Sequence, residues 1–534
     1  MCDTHKKHLD PNSPSHHEEH ESWNRRTFLQ ALGIAGAGAF TLGGSQISSA
    51  MTSPITAALA ASTNDRVLVV IRLKGGNDGL NTIVPVYDYS TYAANRTSIA
   101  LPQNSLYNLS PDFGLPSFMS SLQSRWGNGE MKVVHGVGYP GQNLSHFRSS
   151  DIWASTEPVA AEESGWMGRF FENEFPNFLL SPPAIPPAIQ IGSLGNLAFE
   201  GLQTNYAFSV ADPQQLYNLA QNGWQHDAIN VPPCTYGDQL SFLRSTTNNT
   251  FQYAGVINNA YQASTTQATY GNHSIAEQFS IVARLIKGQL GTKVYMVTLD
   301  GFDTHANQAG THADRMQKLS ESIDAFYNDL AAYGNQDEVL CMTISEFGRR
   351  VEENGSNGTD HGAAAPMMLF GGGLNGNGFI GSHPSMTNLD ANGNMIYSTD
   401  FRDVYSTVMK DWLCIPTSVV DQAMLNGNFN TLNLGFNCTT AGIGDFTDKD
   451  FRHFVINKPQ QASLHIQLES GRKLDIRIYN MLGQEIGQLA NRYFLPGVHE
   501  MNIQETLSSR ISSGQYIYKI ETNGQHYSSQ FVMQ

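Results

Sequence analysis

Six short runs in the middle of the chain are apolar almost without interruption. They are Val67–Ile71, Lys132–Gly136, Ala188–Ile191, Val294–Thr298, Val339–Thr343 and Met367–Phe370. Strands of this kind, without polar alternation, belong to a sheet covered on both faces. Between them lie amphipathic stretches. Ile275, Phe279, Val282 and Ile286 fall near helical spacing, as do Met316, Leu319, Ile323, Phe326 and Leu330. Strands alternating with helices predict an α/β fold, a mostly parallel sheet flanked by helices. In such sheets a site forms beyond the carboxyl ends of the strands.

That rule selects a short set of residues. Lys74-Gly75-Gly76-Asn77-Asp78 follows the first run, and Asp300-Gly301-Phe302-Asp303-Thr304-His305 follows the run at 294–298. Ser345-Glu346-Phe347-Gly348-Arg349 follows the run at 339–343, and Asp360-His361-Gly362 leads into the last strand. Strand ends therefore offer Asp78, Asp300, Asp303, His305, Glu346, Asp360 and His361 as metal ligands. Mixed carboxylates and imidazoles suit a divalent metal such as Zn, Mn, Mg or Ca rather than a thiophilic one. Each residue also has a plain structural reading: Asp78 in a turn, Asp303 as a helix cap, Glu346 paired with Arg349 or Arg350, and Asp360-His361 as a loop pair. His135 reads as core, and His312 with Asp314 as a solvated helix start. Residues 240–275, rich in Ser, Thr, Asn and Gln, read as an exposed insertion. There is no P-loop, dinucleotide or G-x-S-x-G pattern.

The two ends differ from the middle. Residues 1–62 read as a leader: a His-rich start, then Arg25-Arg26-Thr27-Phe28-Leu29 and a short Ala/Gly run. That run is too short and too Gly-rich to form a permanent membrane span. The last stretch alternates with period two, as in Leu474-Asp475-Ile476-Arg477-Ile478 and Tyr516-Ile517-Tyr518-Lys519-Ile520, and predicts a small C-terminal antiparallel β-sandwich. The expected organisation is a core at 63–445, a linker at 446–459 and a sandwich at 460–534. Asp and Glu total 47 against 31 Lys and Arg, a net charge of −16, which argues against nucleic acid as a partner. Cys414 and Cys438 are close enough in sequence to pair, whereas Cys341 sits in an apolar run and reads as a buried thiol.

Three resemblances add to this. The paired arginines with the apolar run resemble a twin-arginine signal. Ile478-Tyr479-Asn480-Met481-Leu482-Gly483, Leu495-Pro496-Gly497 and Ser513-Gly514-Gln515-Tyr516 resemble the C-terminal sorting domain of type IX secretion. Together they imply both secretion machineries as partners, and a secreted or outer-surface location reached through the periplasm. From Arg66 to about Leu413 the chain resembles the family catalogued as domain of unknown function 1501. The resemblance rests on Gly75 to Thr82, Asn143-Leu144-Ser145-His146-Phe147, Asp300 to His305, Ser345 to Arg349 and Gly358 to Gly362. That family looks like a branch of the alkaline phosphatase and sulfatase superfamily. The resemblance implies an alkaline-phosphatase-like three-layer fold and a metal-dependent hydrolase of anionic phosphate or sulfate esters. It makes Asp78 a metal ligand and Ser145 the nucleophile opening a helix. His146 or Arg148 would stabilise developing charge, and Arg349 would hold the anionic substrate. Two departures stand out. The usual Asp-to-His spacing of four is five from Asp300 to His305 and two from Asp303. Glu346-Phe347 replaces the usual Asp-His pair, so an imidazole is absent. A binding protein on a phosphatase-like scaffold is the alternative.

Overall fold

The computed structural model describes residues 66–533, except 176–177, 193–194, 203, 222, 224–225, 232–234, 437, 439–450, 459–460, 469, 481–483, 508–513 and 523–524. The leader, the paired arginines and Cys234 lie outside the described residues. The chain divides into two units. One holds residues 66–406 and 421–435, and the other holds 407–420 and 436–534.

The first unit is built on a nine-stranded sheet. Its strands are β1 (Val67–Lys74), β2 (Met131–Gly138), β3 (Ala188–Ile191), β4 (Ala207–Val210), β5 (Val294–Asp300), β6 (Val339–Ser345), β7 (Ala365–Phe370), β8 (Gly378–Ile380) and β9 (Thr399–Asp400). The order is β8-β2-β7-β6-β1-β5-β3-β4, with β9 also on β2. β1 is parallel to both neighbours, and only β7 runs antiparallel to its own, among the described residues. Every residue of β2 is buried, as is Leu68 to Ile71 on β1, which is what continuous apolar runs require of a sheet covered on both faces. A mixed, mostly parallel sheet between helices is thus the architecture the alternation predicted.

Five helices matter to the site or the layers: α1 (His146–Ser155), α2 (Trp166–Glu174), α3 (Thr235–Ala263), α4 (Ser274–Lys287) and α5 (Gln308–Ala331). α3 corrects the reading of 240–275 as an exposed insertion. Its polar surface hides a buried stripe at Tyr253, Ala254, Ile257 and Ala260, which is helical spacing. α5 corrects a second reading: His312 is 1% exposed rather than part of a solvated start. It extends the stripe of Met316, Leu319 and Ile323 by one turn.

In the second unit, Phe451–Lys458, Gln461–Leu468 and Gly497–Asn502 form one antiparallel sheet. Arg472–Asn480, Glu485–Phe494, Gly514–Thr522 and Gln525–Met533 form another. Alternate residues, Leu464, Ile466 and Leu468 from one sheet and Leu474, Ile476 and Ile478 from the other, make one core. Cys414 and Cys438 form a disulfide, and Cys341 is a free buried thiol. No helix of the described residues is long and apolar enough to cross a membrane.

Candidate metal centre

The loops leaving the carboxyl ends of β1, β5 and β6 meet at one rim. Gly75 and Gly76, with positive φ of 118° and 85°, make this approach possible. A Cβ on Gly75 would lie 2.4 Å from the backbone nitrogen of Asp303, and one on Gly76 would strike the Phe347 ring. Two further strands, Gly348–Glu353 and Thr359–Gly362, pair as a ribbon with Arg349 opposite His361.

Three imidazoles surround the Asp303 carboxylate. His305 Nε2 is 3.1 Å and His361 Nε2 3.2 Å from Asp303 Oδ1, and His146 Nε2 is 3.4 Å from Oδ2. The Nε2 atoms of His305 and His361 lie 2.9 Å apart. His146, Asp303 and His361 form a grouping able to hold a metal ion, their ligand atoms within 4.8 Å of one another. Ligands at about 2.0–2.1 Å around a tetrahedral ion sit roughly 3.3 Å from each other, close to these separations.

Each ring is held from behind by its other nitrogen. His146 Nδ1 is 2.7 Å from Glu346 Oε2, His361 Nδ1 is 2.8 Å from the Leu144 carbonyl, and His305 Nδ1 is 3.4 Å from Asp360 Oδ1. With Nδ1–H donating outward, each Nε2 presents a lone pair to the centre. This is the outer hydrogen bonding that orients histidine ligands to metals. Burial opposes the charged form of Asp303. The Arg349 guanidinium, at 2.8 Å, and the neighbouring imidazoles outweigh it, and the pKa falls to about 2. Burial lowers the pKa of His361, keeping it neutral and able to ligate.

The remaining candidates occupy other places. Asp300 is still in β5, aligned with Lys74 of β1, and its carboxylate pairs with that ammonium at 2.9 Å. Asp303, three residues on, is the member of the pair that reaches His305. Asp78 is 1% exposed. Its carboxylate accepts from Arg96 and Gln308, each at 2.5 Å, and from the Leu80 backbone N–H. Burial pushes its pKa up, yet the Arg96 charge and these bonds carry it below the usual range. Glu346 and Asp360 stand behind His146 and His305 rather than at the centre. Arg349 is 1% exposed. Its guanidinium donates to the carbonyls of Gly75, Gly76, Phe302 and Thr359 and to Asp303, three of these contacts from one terminal nitrogen, so it fastens the loops together. Arg148 donates to the Glu157 and Ala160 carbonyls.

Ser145 is exposed at the start of α1, and its hydroxyl makes no capping bond. Chain neighbours on both sides touch the centre: Leu144 through its carbonyl and His146 through its ring. Sequence reasoning gave His146 a charge-stabilising role, whereas its Nε2 faces Asp303 with the others. It missed Gln308, which is fully buried. The Gln308 amide oxygen accepts from Thr304 and Thr359 hydroxyls at 2.9 and 2.5 Å, while its NH2 donates to Asp78. One side chain therefore braces both residue pairs that carry the histidines. Its place two turns before Met316 on the buried stripe was the available signal.

The class defined so far is a mostly parallel α/β protein with a histidine–aspartate centre at the sheet rim and a separate β-sandwich. Comparison adds the families. Residues 238–419 match the family described as Protein of unknown function (DUF1501), and residues 458–534 match the secretion system C-terminal sorting domain. The chain is thus exported by type IX secretion, to be released or kept at the cell surface. No curated protein matches it in sequence. Among solved structures, Ps i-CgsB aligns at 9% identity over 76% of this chain and 83% of its own, with a TM-score of 0.31. The lipoteichoic acid synthase LtaP of Listeria monocytogenes aligns at 8% over 63% and 76%, with 0.29. Alkaline phosphatase from the Antarctic bacterium TAB5 aligns at 8% over 59% and 95%, with 0.24.

Proposed function

We propose that this exported protein is a metal-dependent hydrolase of phosphate or sulfate esters, with one divalent ion held by His146, Asp303 and His361 and His305 beside them. The observation that carries this reading is the convergence of three imidazole Nε2 atoms on one carboxylate, each ring fixed through Nδ1. Four side chains from three separate loops thus bring atoms able to ligate a metal to a common point. A bound ion supplies positive charge that polarises an ester oxygen and lowers the pKa of a nearby hydroxyl. Ser145, exposed between Leu144 and His146 at the start of α1, would attack phosphorus or sulfur, its proton passing to the departing alkoxide, and water would then release the oxyanion and restore the serine. The positive end of α1 favours charge developing there. Glu346 keeps His146 in the ligating tautomer, and Arg349 keeps Asp303 ionised.

One observation favours the alternative of a binding protein. Asp78 is sealed against Arg96, and the described residues contain one ion-sized grouping only, so no two-ion clamp is supported. Elemental analysis of the purified chain, with turnover of aryl phosphates and aryl sulfates, tests the proposal. The expected result is one tightly bound ion per chain, lost in His361→Ala, and turnover lost in Ser145→Ala with the ion retained. An ion without turnover favours the binding reading, and the absence of any ion refutes both the centre and the chemistry.

A further inference from the structure

Two residues before Ser145 stands Asn143, half-buried, with an amide whose two ends can be told apart. Its Oδ1 accepts the Ser145 backbone N–H at 2.9 Å. A backbone N–H only donates, so the end facing it is the oxygen and the other end is the NH2. Amide bond lengths put the two ends about 2.2 Å apart, so the NH2 lies within about 5 Å of the Ser145 nitrogen. That NH2 makes no hydrogen bond to the described residues.

The residue carrying this amide is held from behind. The Asn143 N–H donates to the Tyr139 hydroxyl at 3.1 Å, and the Asn143 carbonyl lies 3.4 Å from the same hydroxyl. Tyr139 Oη is 3.0 Å from Ser149 Oγ, and Ser149 gives its single proton to the Glu346 carbonyl. The proton between the two hydroxyls is therefore Tyr139's. Donation runs one way, from Asn143 N–H to Tyr139, to Ser149, to the backbone of Glu346, whose carboxylate holds His146. Tyr139 and Ser149 are fully buried. Hydrogen bonds ordered head to tail polarise one another and rigidify what they join. The segment bearing Ser145 is thus tied to the residue that orients a metal ligand.

The cations nearby are drawn elsewhere. Arg148 donates to two backbone carbonyls, Arg349 fastens the loops, and Arg72 pairs with Glu346. Beside the serine there remains a fixed group that donates and cannot accept. We propose that Asn143 is a catalytic residue of this centre, its NH2 donating to an oxygen of the phosphate or sulfate group that Ser145 meets, with Tyr139 as the positioning residue that holds it there. A donor fixed in advance beside developing charge costs no reorganisation during reaction. The ligand class rests on the hydrolase reading; the free donor does not.

Two substitutions separate this role from that of a turn which merely shapes the loop. Asn143→Asp and Asn143→Ser both keep an oxygen able to accept the Ser145 N–H, and both remove the NH2; only the first adds charge. Binding of inorganic phosphate and of sulfate to the full, ion-bearing chain is measured by calorimetry, beside kcat for an aryl phosphate. The expected result is anion binding roughly 10–100-fold weaker in both variants and kcat about 100-fold lower, with ion content and denaturant midpoint as in the native chain. Native anion affinity in Asn143→Ser overturns the proposal, whatever the charged variant does, because the loop then needs only an acceptor. Failure of the native chain to bind either anion overturns it as well. Anion binding by the native chain without turnover, weakened in Asn143→Ser, refutes the hydrolase reading and upholds the Asn143 donor. Tyr139→Phe keeps the ring and removes the middle link, and should weaken anion binding about tenfold with the ion retained; unchanged affinity there overturns the part given to Tyr139.

Discussion

Asp78→Asn separates two roles for the residue that opens the glycine-rich loop. As a ligand, its loss would empty the metal centre and leave the metal-free protein as stable as before. Its surroundings argue the opposite. Asp78 and Arg96 are 1% and 0% exposed, with a 2.5 Å contact between them. Arg96 is further held by the Val351 and Arg350 carbonyls. Removing one charge from a buried pair leaves the other uncompensated, at a cost of about 3–5 kcal/mol. Asparagine keeps one acceptor, so the expected loss is near 3 kcal/mol. Denaturant unfolding of the chelated protein measures it. The same contacts set a pH dependence. Because the folded pKa lies below the unfolded value of about 3.9, the stabilisation is present above that value and is lost as pH falls toward the folded pKa. Asp78→Asn should therefore be less stable at neutral pH and lose less on acidification. Unchanged stability of the metal-free variant, together with an empty centre, would refute this reasoning and return Asp78 to the ligand set.

Three further outcomes are expected. Glu346→Gln, which exchanges the carboxylate behind His146 for an amide, should weaken metal binding roughly 10–100-fold in competition with a chelator. Gln308→Leu should weaken it about tenfold by releasing Thr304 and Thr359, while Gln308→Leu and native chains unfold at comparable denaturant concentrations only if the amide is dispensable to the fold. Cys414→Ser, opening a disulfide with a sequence separation of 24, should cost about 3 kcal/mol in the stability of the second unit by loop-entropy arguments, read from its thermal unfolding under non-reducing conditions.

How much of this was legible depends on which interactions are periodic. Continuous apolar runs and helical stripes recur along the chain, so six of the nine strands, α4 and α5 could be read directly, whereas the short edge strands β4, β8 and β9 carry no such run. α3 could have been read too, since Tyr253, Ile257 and Ala260 keep helical spacing; its Ser, Thr and Asn content drew attention away from that. Choosing between Asp300 and Asp303 needed the register of β1 against β5, which hands Asp300 to Lys74. No spacing rule contains that pairing. Glu346 and Asp360 read as ligands in the sequence, and the structure sets them behind His146 and His305; whether a carboxylate meets the centre or stands behind a histidine is a matter of a few ångströms of side-chain reach. Arg349 looked like a substrate clamp because its partners are backbone carbonyls, which leave no mark in the sequence.

Charge arithmetic at the rim bears on the substrate. Asp78 is balanced by Arg96, Glu346 by Arg72, and Asp303 by Arg349. Asp360, beside His305 and Asn354, pairs with no arginine or lysine among the described residues, so counting carboxylates against guanidinium groups leaves one negative charge at the rim, on a chain that carries −16 as a whole. A divalent ion would leave the rim at about +1 by this count, with the pairs behind it already satisfied. On the hydrolase reading, the phosphate or sulfate group of the substrate would answer that charge. On that reading, chelating the ion should abolish anion affinity at the centre, because no cationic side chain there is freed to take its place.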